Sequence, residues 1–226
     1  MEYKGKLYVV ATPIGNLQDI TLRAIDTLKN VNTIVCEDTR VSSILLTKYE
    51  IKKPLIAINE FNEEQMTYQI LKILETSDVA VVSDAGTPLI SDPGYRLVNA
   101  AKAKDIRVIP IPGASALIAA LSASSLPTDK FVFLGFLPKS KAKAVKSLKE
   151  LESLRTTVIL YESPHRIVSS LENIIEGYGD IKVTIGRELT KIYEEIVEKK
   201  ASEFIDLYTA KPPKGEFVVL FSTNPK

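Results

Sequence analysis

Short apolar runs alternate along the first half of the chain with stretches in which apolar positions recur every three or four residues. The runs at 7–11, 33–36, 55–58, 79–83 and 107–111 predict strands. Leu22, Ile25 and Leu28 form one face of a helix between the first two strands, with Asp19 as its N-cap. Asn62 heads a later helix, and Gln65 three residues on completes a capping-box pattern. Asp92 and Pro93 read as the N-cap and first position of the helix after the fourth strand. Residues 79–83 are almost continuously apolar, as expected of a strand covered on both faces of a parallel sheet. Strands that alternate with helices argue for such a sheet.

The second half has a different rhythm. Runs at 131–136, 157–161, 182–186, 193–198 and 217–222 predict strands, but helices separate only some of them. The last three lie close together, which favours antiparallel pairing. The expectation is an α/β chain of two domains, residues 1–112 and 113–226. The N-terminal one holds a mostly parallel sheet with flanking helices, the C-terminal one a mixed sheet with helices.

Composition narrows the chemistry. The 226 residues are 45% apolar and 25% charged, with a formal net charge of +1. No global field steers the protein towards nucleic acid or membrane. Cys36 and His165 are the only residues of their kinds, so an internal disulfide and multi-Cys or multi-His metal sites are excluded. No metal is expected. Charged Glu2, Lys4 and Lys6 precede a short strand rather than a signal-peptide core. No apolar run approaches the ~20 residues of a membrane span. A reduced, cytoplasmic setting without membrane attachment is the expectation.

In open α/β sheets, ligands bind where loops leave the carboxyl ends of strands. Those positions hold Pro13-Ile14-Gly15-Asn16, Glu37-Asp38-Thr39-Arg40, Asp84-Ala85-Gly86-Thr87-Pro88 and Pro112-Gly113-Ala114-Ser115. Any one of them also reads as a plain turn; four on one edge argue for a site. Nucleotide-fold glycine fingerprints, a Walker A loop and a serine nucleophile elbow are absent from the sequence. His165, in Tyr161-Glu162-Ser163-Pro164-His165-Arg166, has the chemistry of a general base, although a lone histidine is more often structural. Lys139, Lys141, Lys143, Lys146 and Lys149 form either a solvated helix face or a track for a phosphate backbone.

Taken in order, LYVVATPIGNLQDIT, CEDTR, VSDAGTPLISDPG, IPGASA, GFLP, YESPHR, GRELTK and GEFVVL span Leu7 to Leu220. They resemble the small-subunit ribosomal RNA (cytidine-2'-O)-methyltransferase branch of the tetrapyrrole methylase superfamily. The resemblance implies the two-domain fold of that superfamily, with S-adenosylmethionine in the cleft between the domains, and a homodimer. It implies cofactor contacts at Pro13, Asp84, Gly86, Leu89, Ser91, Pro112, Ser115 and Ala116, with Tyr161 and Gly215 from the second domain. The implied target is a cytidine ribose in the decoding region of 16S rRNA, with the rRNA itself or the 30S particle as partner. One of Glu37, Asp38, Glu188 or Lys191 would take or orient the hydroxyl proton. Arg40, Arg166 and Arg187 would hold phosphates, with Lys139, Lys141 and Lys143 as further RNA contacts.

The chain departs from the branch in two places. Histidines often found after the third strand are replaced by Asn59-Glu60-Phe61-Asn62-Glu63, and a Glu common before Gly-Phe-Leu-Pro is Leu134. It also ends soon after the last strand, without the C-terminal extension of some relatives. Two other readings stay open. One is a same-fold methylase acting on a tetrapyrrole or other small substrate, disfavoured because Thr12-Pro13-Ile14-Gly15-Asn16 lacks a Gly-x-Gly-Pro-Gly-Asp loop. The other is a non-enzymatic ribosome-assembly factor.

Overall fold

A computed structural model describes residues 4–59 and 61–223, so Glu2 and Glu60 lie outside the described residues. The chain divides into two compact units, Met1–Ser115 and Ala116–Lys226.

The first unit is built on strands β1 (Lys6–Val10), β2 (Thr33–Cys36), β3 (Leu55–Ala57), β4 (Val79–Val81) and β5 (Arg107–Ile111). They form one sheet in the order β3-β2-β4-β1-β5, and every neighbouring pair is parallel. Helices α1 (Leu22–Asn30), α2 (Thr39–Lys48), α3 (Glu63–Ile73) and α4 (Tyr95–Ala103) connect them. The continuous apolar character of β4 has its reason here. Val79 and Val81 pack with Ile70, Leu74 and Leu97 of α3 and α4. Ala80 and the following Val82 pack with Ala24, Leu28 and Leu46 of α1 and α2. Pro110 interrupts β5 without harm because β5 is an edge strand, where a missing N–H breaks no ladder.

The second unit contains β6 (Phe131–Phe133), β7 (Thr157–Glu162), β8 (Lys182–Arg187), β9 (Glu195–Lys200) and β10 (Phe217–Ser222) in the order β6-β7-β10-β8-β9. Only β6 and β7 run parallel; the other neighbours are antiparallel. One face carries the core formed with α6 (Lys141–Lys149), α7 (Ile167–Tyr178) and α8 (Ala201–Ala210). The short helix α5 (Ala116–Ser122) packs against β7 and β10. The α/β class and the parallel and mixed sheets are as the sequence pattern indicates.

Several local expectations are corrected. Thr21, not Asp19, caps α1, its side chain accepting from the Ala24 N–H; Asp19 lies in a preceding 3-10 turn. Asn62 is the N-cap of α3 but makes no side-chain cap bond. Its Oδ1 accepts the Asn59 N–H at 2.8 Å instead, so no capping box forms with Gln65. Asp92 and Pro93 do not start α4. Gly94 does, at φ 119°, and Glu63 from α3 accepts the N–H groups of Gly94 (3.1 Å) and Arg96 (3.0 Å). A carboxylate from a neighbouring helix thus satisfies donors that a local cap normally would. Strand β9 starts two residues later than expected, because residues 188–194 close two hydrogen-bonded turns, Lys191 N–H to Glu188 O and Glu194 N–H to Lys191 O.

Candidate active site

Neighbouring strands β1 and β4 hold the first half of the chemistry. The chain leaves β1 past β4 towards β2, and leaves β4 past β1 towards β5. Opposed connections of this kind open a ligand crevice at the carboxyl ends of the strands. Thr12 and Gly86 tie the two loops together by reciprocal backbone bonds, Thr12 N–H to Gly86 O at 2.8 Å and Gly86 N–H to Thr12 O at 3.1 Å. The buried Thr12 hydroxyl donates to Ser83 O at 3.1 Å, and the Thr87 hydroxyl to Ala114 O at 3.2 Å. Three sequence-predicted segments, around Pro13, Asp84 to Gly86, and Pro112, are therefore coupled at one sheet edge.

Gly86 sits at φ 80°, and a Cβ there would meet Ile14 Cγ2 at 3.3 Å. Leu89 and Ser91 also adopt left-handed backbone, at φ 72° and 69°. Non-glycine residues in that region carry strain that clusters at ligand sites. The loop thus presents close-set backbone with little side-chain bulk at Gly86, a surface suited to a ligand approaching the main chain.

Two carboxylates lie in this loop. Asp84 Oδ1 accepts the Asp38 N–H at 3.1 Å, linking the loops after β4 and β2. Burial pushes the Asp84 carboxyl above its ordinary value, and the Asp38 charge adds to the rise. Asp92, expected only as a helix cap, is partly buried, and burial likewise raises its carboxyl. A hydrogen bond with Ser83 opposes that rise and the Asp84 charge assists it. Nothing in local sequence distinguishes a capping aspartate from one folded back against a strand end, so sequence reasoning missed it.

Asp38 is in the opposite condition. It caps α2 through the Arg40 N–H at 2.8 Å and grips the Arg40 guanidinium, with Nη2 to Oδ2 at 2.6 Å. Those hydrogen bonds hold its carboxyl down at about 2. Glu37 precedes it, half-buried. Cys36 is buried, which raises its thiol and makes it a core residue rather than a nucleophile.

The second unit gathers Glu188, Lys191, Gly215 and Glu216. Lys191 Nζ lies 2.8 Å from both Glu188 Oε1 and Glu216 Oε2. Glu188 Oε1 also accepts the Glu216 N–H at 3.1 Å. Lys191 lowers the Glu188 carboxyl. Burial pulls the Lys191 ammonium down, but its bonds to both carboxylates outweigh that and leave it raised. Glu188 and Thr190 adopt φ 50° and 66°. Gly215, at φ 98°, leaves room for Glu188, since a Cβ there would fall 2.5 Å from its side chain. Glu216 is the member that sequence reasoning missed; its only signal was adjacency to Gly215. Arg187 is fixed alongside by Glu195 (Nη2 to Oε1, 3.0 Å) and Lys214 O (3.2 Å).

Tyr161-Glu162-Ser163-Pro164-His165-Arg166 resolves into distinct tasks. Glu162 is buried and accepts from the Ser163 N–H (2.8 Å) and the Ser170 hydroxyl (2.5 Å). Arg166 donates to Leu137 O at 2.6 Å, with Nε 3.7 Å from Glu162 Oε1. His165 is exposed. Tyr161 packs edge-on against Phe133 and Phe136. Lys139, Lys141 and Lys143 are exposed, and Lys141 pairs with Glu176 at 2.7 Å. Among the described residues no group of three or more His, Cys, Asp or Glu is placed to hold a metal, and no helix is long and apolar enough to cross a membrane.

Comparison with known proteins places this arrangement. The model of the family described as Tetrapyrrole (Corrin/Porphyrin) Methylases matches residues 6–205. Ribosomal RNA small subunit methyltransferase I of Thermotoga maritima is 47% identical over 219 residues, covering 96% of this chain and 98% of that protein. The Mesorhizobium japonicum protein of the same name is 49% identical over 216 residues, covering 94% of this chain and 74% of that one. Among solved structures, a diphthine synthase superposes with TM-score 0.76 at 14% identity, covering 97% of this chain and 90% of that one. The cobalt precorrin-4 methyltransferase CbiF gives 0.71 at 18%, covering 95% and 94%. At such identities the structural matches speak for the fold alone.

Proposed function

This chain belongs to the tetrapyrrole methylase family, and from that premise we infer that it is an enzyme transferring a methyl group to small-subunit ribosomal RNA. The observation that carries the reading is the 47% identity to a ribosomal RNA small subunit methyltransferase across nearly the full length of both chains.

The finer reading is a 2'-O-methylation of a cytidine in 16S rRNA, with S-adenosylmethionine as donor, acting as a homodimer on the 30S particle in the cytoplasm. The close-set backbone around Gly86 and the raised carboxyls of Asp84 and Asp92 fit a cationic nucleoside cofactor. Pro13, Asp84, Gly86, Leu89, Ser91, Pro112, Ser115 and Ala116 would hold it, with Tyr161 and Gly215 as contributors from the second unit. When bound, the cofactor supplies an electrophilic methyl on a neutral leaving group.

The protein's residues then have to orient a ribose hydroxyl and manage its proton. Among the four candidates the electrostatics differ. Asp38, held at about 2 by Arg40, is a weak base. Lys191, kept protonated between two carboxylates, is suited to orienting the hydroxyl rather than accepting its proton. Glu188 is ionised and lies beside it, and Glu37 completes the set. Arg40 and Arg187 are each paired with a carboxylate, which a bound phosphate would compete with.

The test is methyl transfer from labelled S-adenosylmethionine to 30S particles lacking ribose methylation, with the modified nucleotide mapped. A 2'-O-methylcytidine is expected. Labelling of a tetrapyrrole but not of RNA, or no cofactor binding at all, would overturn the reading.

A further inference from the structure

The Gly-Phe-Leu-Pro segment after β6 places one aromatic ring where the core has no use for it. Gly135 turns the chain at φ 65°, and its carbonyl accepts the Tyr161 N–H at 2.9 Å. Leu137 then enters the core at 2% exposure, while Phe136 stays 50% exposed. One side of Phe136 is supported, because the Tyr161 ring meets it edge-on with centroids 6.1 Å apart, and Phe133 backs Tyr161 at 4.8 Å. The result is a braced aromatic shelf rather than a loose side chain.

Its surroundings are cationic. The Arg166 guanidinium is anchored on Leu137 O, the residue next to Phe136. Lys139 and Lys143 follow three and seven residues after Phe136 and are exposed. Positive side chains in the first turn of α6 oppose the helix dipole, a placement that a phosphate backbone offsets. Two other strongly exposed apolar side chains differ. Phe61 at 99% adjoins Glu63 and Glu64, and Ile192 at 94% adjoins Glu194 and Glu195. The Phe136 shelf pairs a ring braced by other aromatics with nearby cations, the combination that single-stranded nucleic acid binds by stacking and charge; the exposed Tyr68 ring, by contrast, already has the Lys72 ammonium over its face at 4.5 Å.

We propose that Phe136, braced by Tyr161, is the platform on which an unpaired base of the RNA substrate stacks, with Lys139, Lys143 and Arg166 taking the flanking phosphates. The proposal rests on the ribosomal RNA reading above. It requires the RNA to be locally single-stranded at this surface, since a ring face cannot reach a base inside an A-form helix.

The test compares the wild-type enzyme with F136L and F136W, on 30S particles lacking ribose methylation. Wild-type transfer is the control on the ribosomal RNA reading itself. Leucine keeps the apolar bulk but removes the ring, so F136L should raise KM for the particle about tenfold and leave S-adenosylmethionine affinity and melting temperature unchanged. F136W should retain near wild-type KM. K143Q should flatten the salt dependence of particle binding, and F136L should not. A photoreactive phenylalanine analogue at position 136 should cross-link to an rRNA nucleotide. Unchanged KM in F136L, a loss that F136W does not restore, or a cross-link to ribosomal protein alone would overturn the proposal.

Discussion

The loop between β4 and α4 and the cluster formed by the loops flanking β8 and β10 handle charge in opposite ways. Both contain non-glycine residues in left-handed backbone two positions apart, Leu89 with Ser91 and Glu188 with Thr190. Both also depend on a glycine at positive φ, Gly86 or Gly215. In the first loop the carboxyls of Asp84 and Asp92 are both raised by burial, with the Asp38 charge adding to the rise at Asp84 and the Asp84 charge to that at Asp92. In the second cluster Lys191 lies between Glu188 and Glu216, so the charges are matched internally. A ligand that brings positive charge gains most at the first. The second is organised without a ligand and is suited to fixing the position of a polar group. Strain alone therefore marks both places, and electrostatics tells them apart.

The largest disruption should come from Gly215→Ala. The new Cβ would collide with Glu188 and detach it from Lys191. Turnover should fall about 100-fold, the scale of a small misplacement at a reacting centre; because Gly215 is also a proposed cofactor contributor, S-adenosylmethionine affinity measured by calorimetry should fall too, but by less. Equal losses in both would erase the distinction between the two regions.

D84N probes the other side. The amide oxygen can still accept the Asp38 N–H, so the loop should stay folded. Cofactor affinity should weaken about tenfold or more, the worth of a hydrogen bond to a charged group. Unchanged affinity would remove Asp84 from the cofactor contacts.

D92N sharpens the electrostatic contrast through pH. A carboxyl raised by folding binds protons more readily in the native state, so it destabilises the fold increasingly as pH rises through its native value. That penalty is relieved as pH falls towards the ordinary carboxylate range. D92N should therefore be more stable than wild type at pH 8 in denaturant melts, and the gap should close on acidification. Glu188 has the reverse sign. Its depressed carboxyl adds stability above the ordinary glutamate value and loses it as pH falls through the native one, so E188Q should lose stability at pH 8 and less in acid.

The smallest effect is expected from Ser91→Gly. Relief of left-handed strain outweighs the added backbone entropy by about 0.5 kcal/mol, seen as a slightly higher denaturation midpoint. A loss of stability would mean that the Ser91 side chain carries packing that its exposure does not suggest.

Much of this protein was legible in one dimension. Apolar periodicity reports burial, and burial by two helical layers leaves β4 no polar position, so the parallel sheet could be read directly. The mixed second sheet was legible from the crowding of its last strands. The residues of the loop after β4 stood out because turns need Gly, Pro and Asp in particular places. What tertiary structure alone decided is which partner each polar group found. Glu63 caps α4 from another helix, and Asp92 turns from a supposed cap into a partly buried carboxyl beside Ser83. Glu216 joins Glu188 around Lys191 from 25 residues away. Hydrogen bonds and ion pairs are short-ranged and indifferent to sequence separation, so no local pattern encodes them; they exist only once each sheet has brought the distant loops of its own unit together.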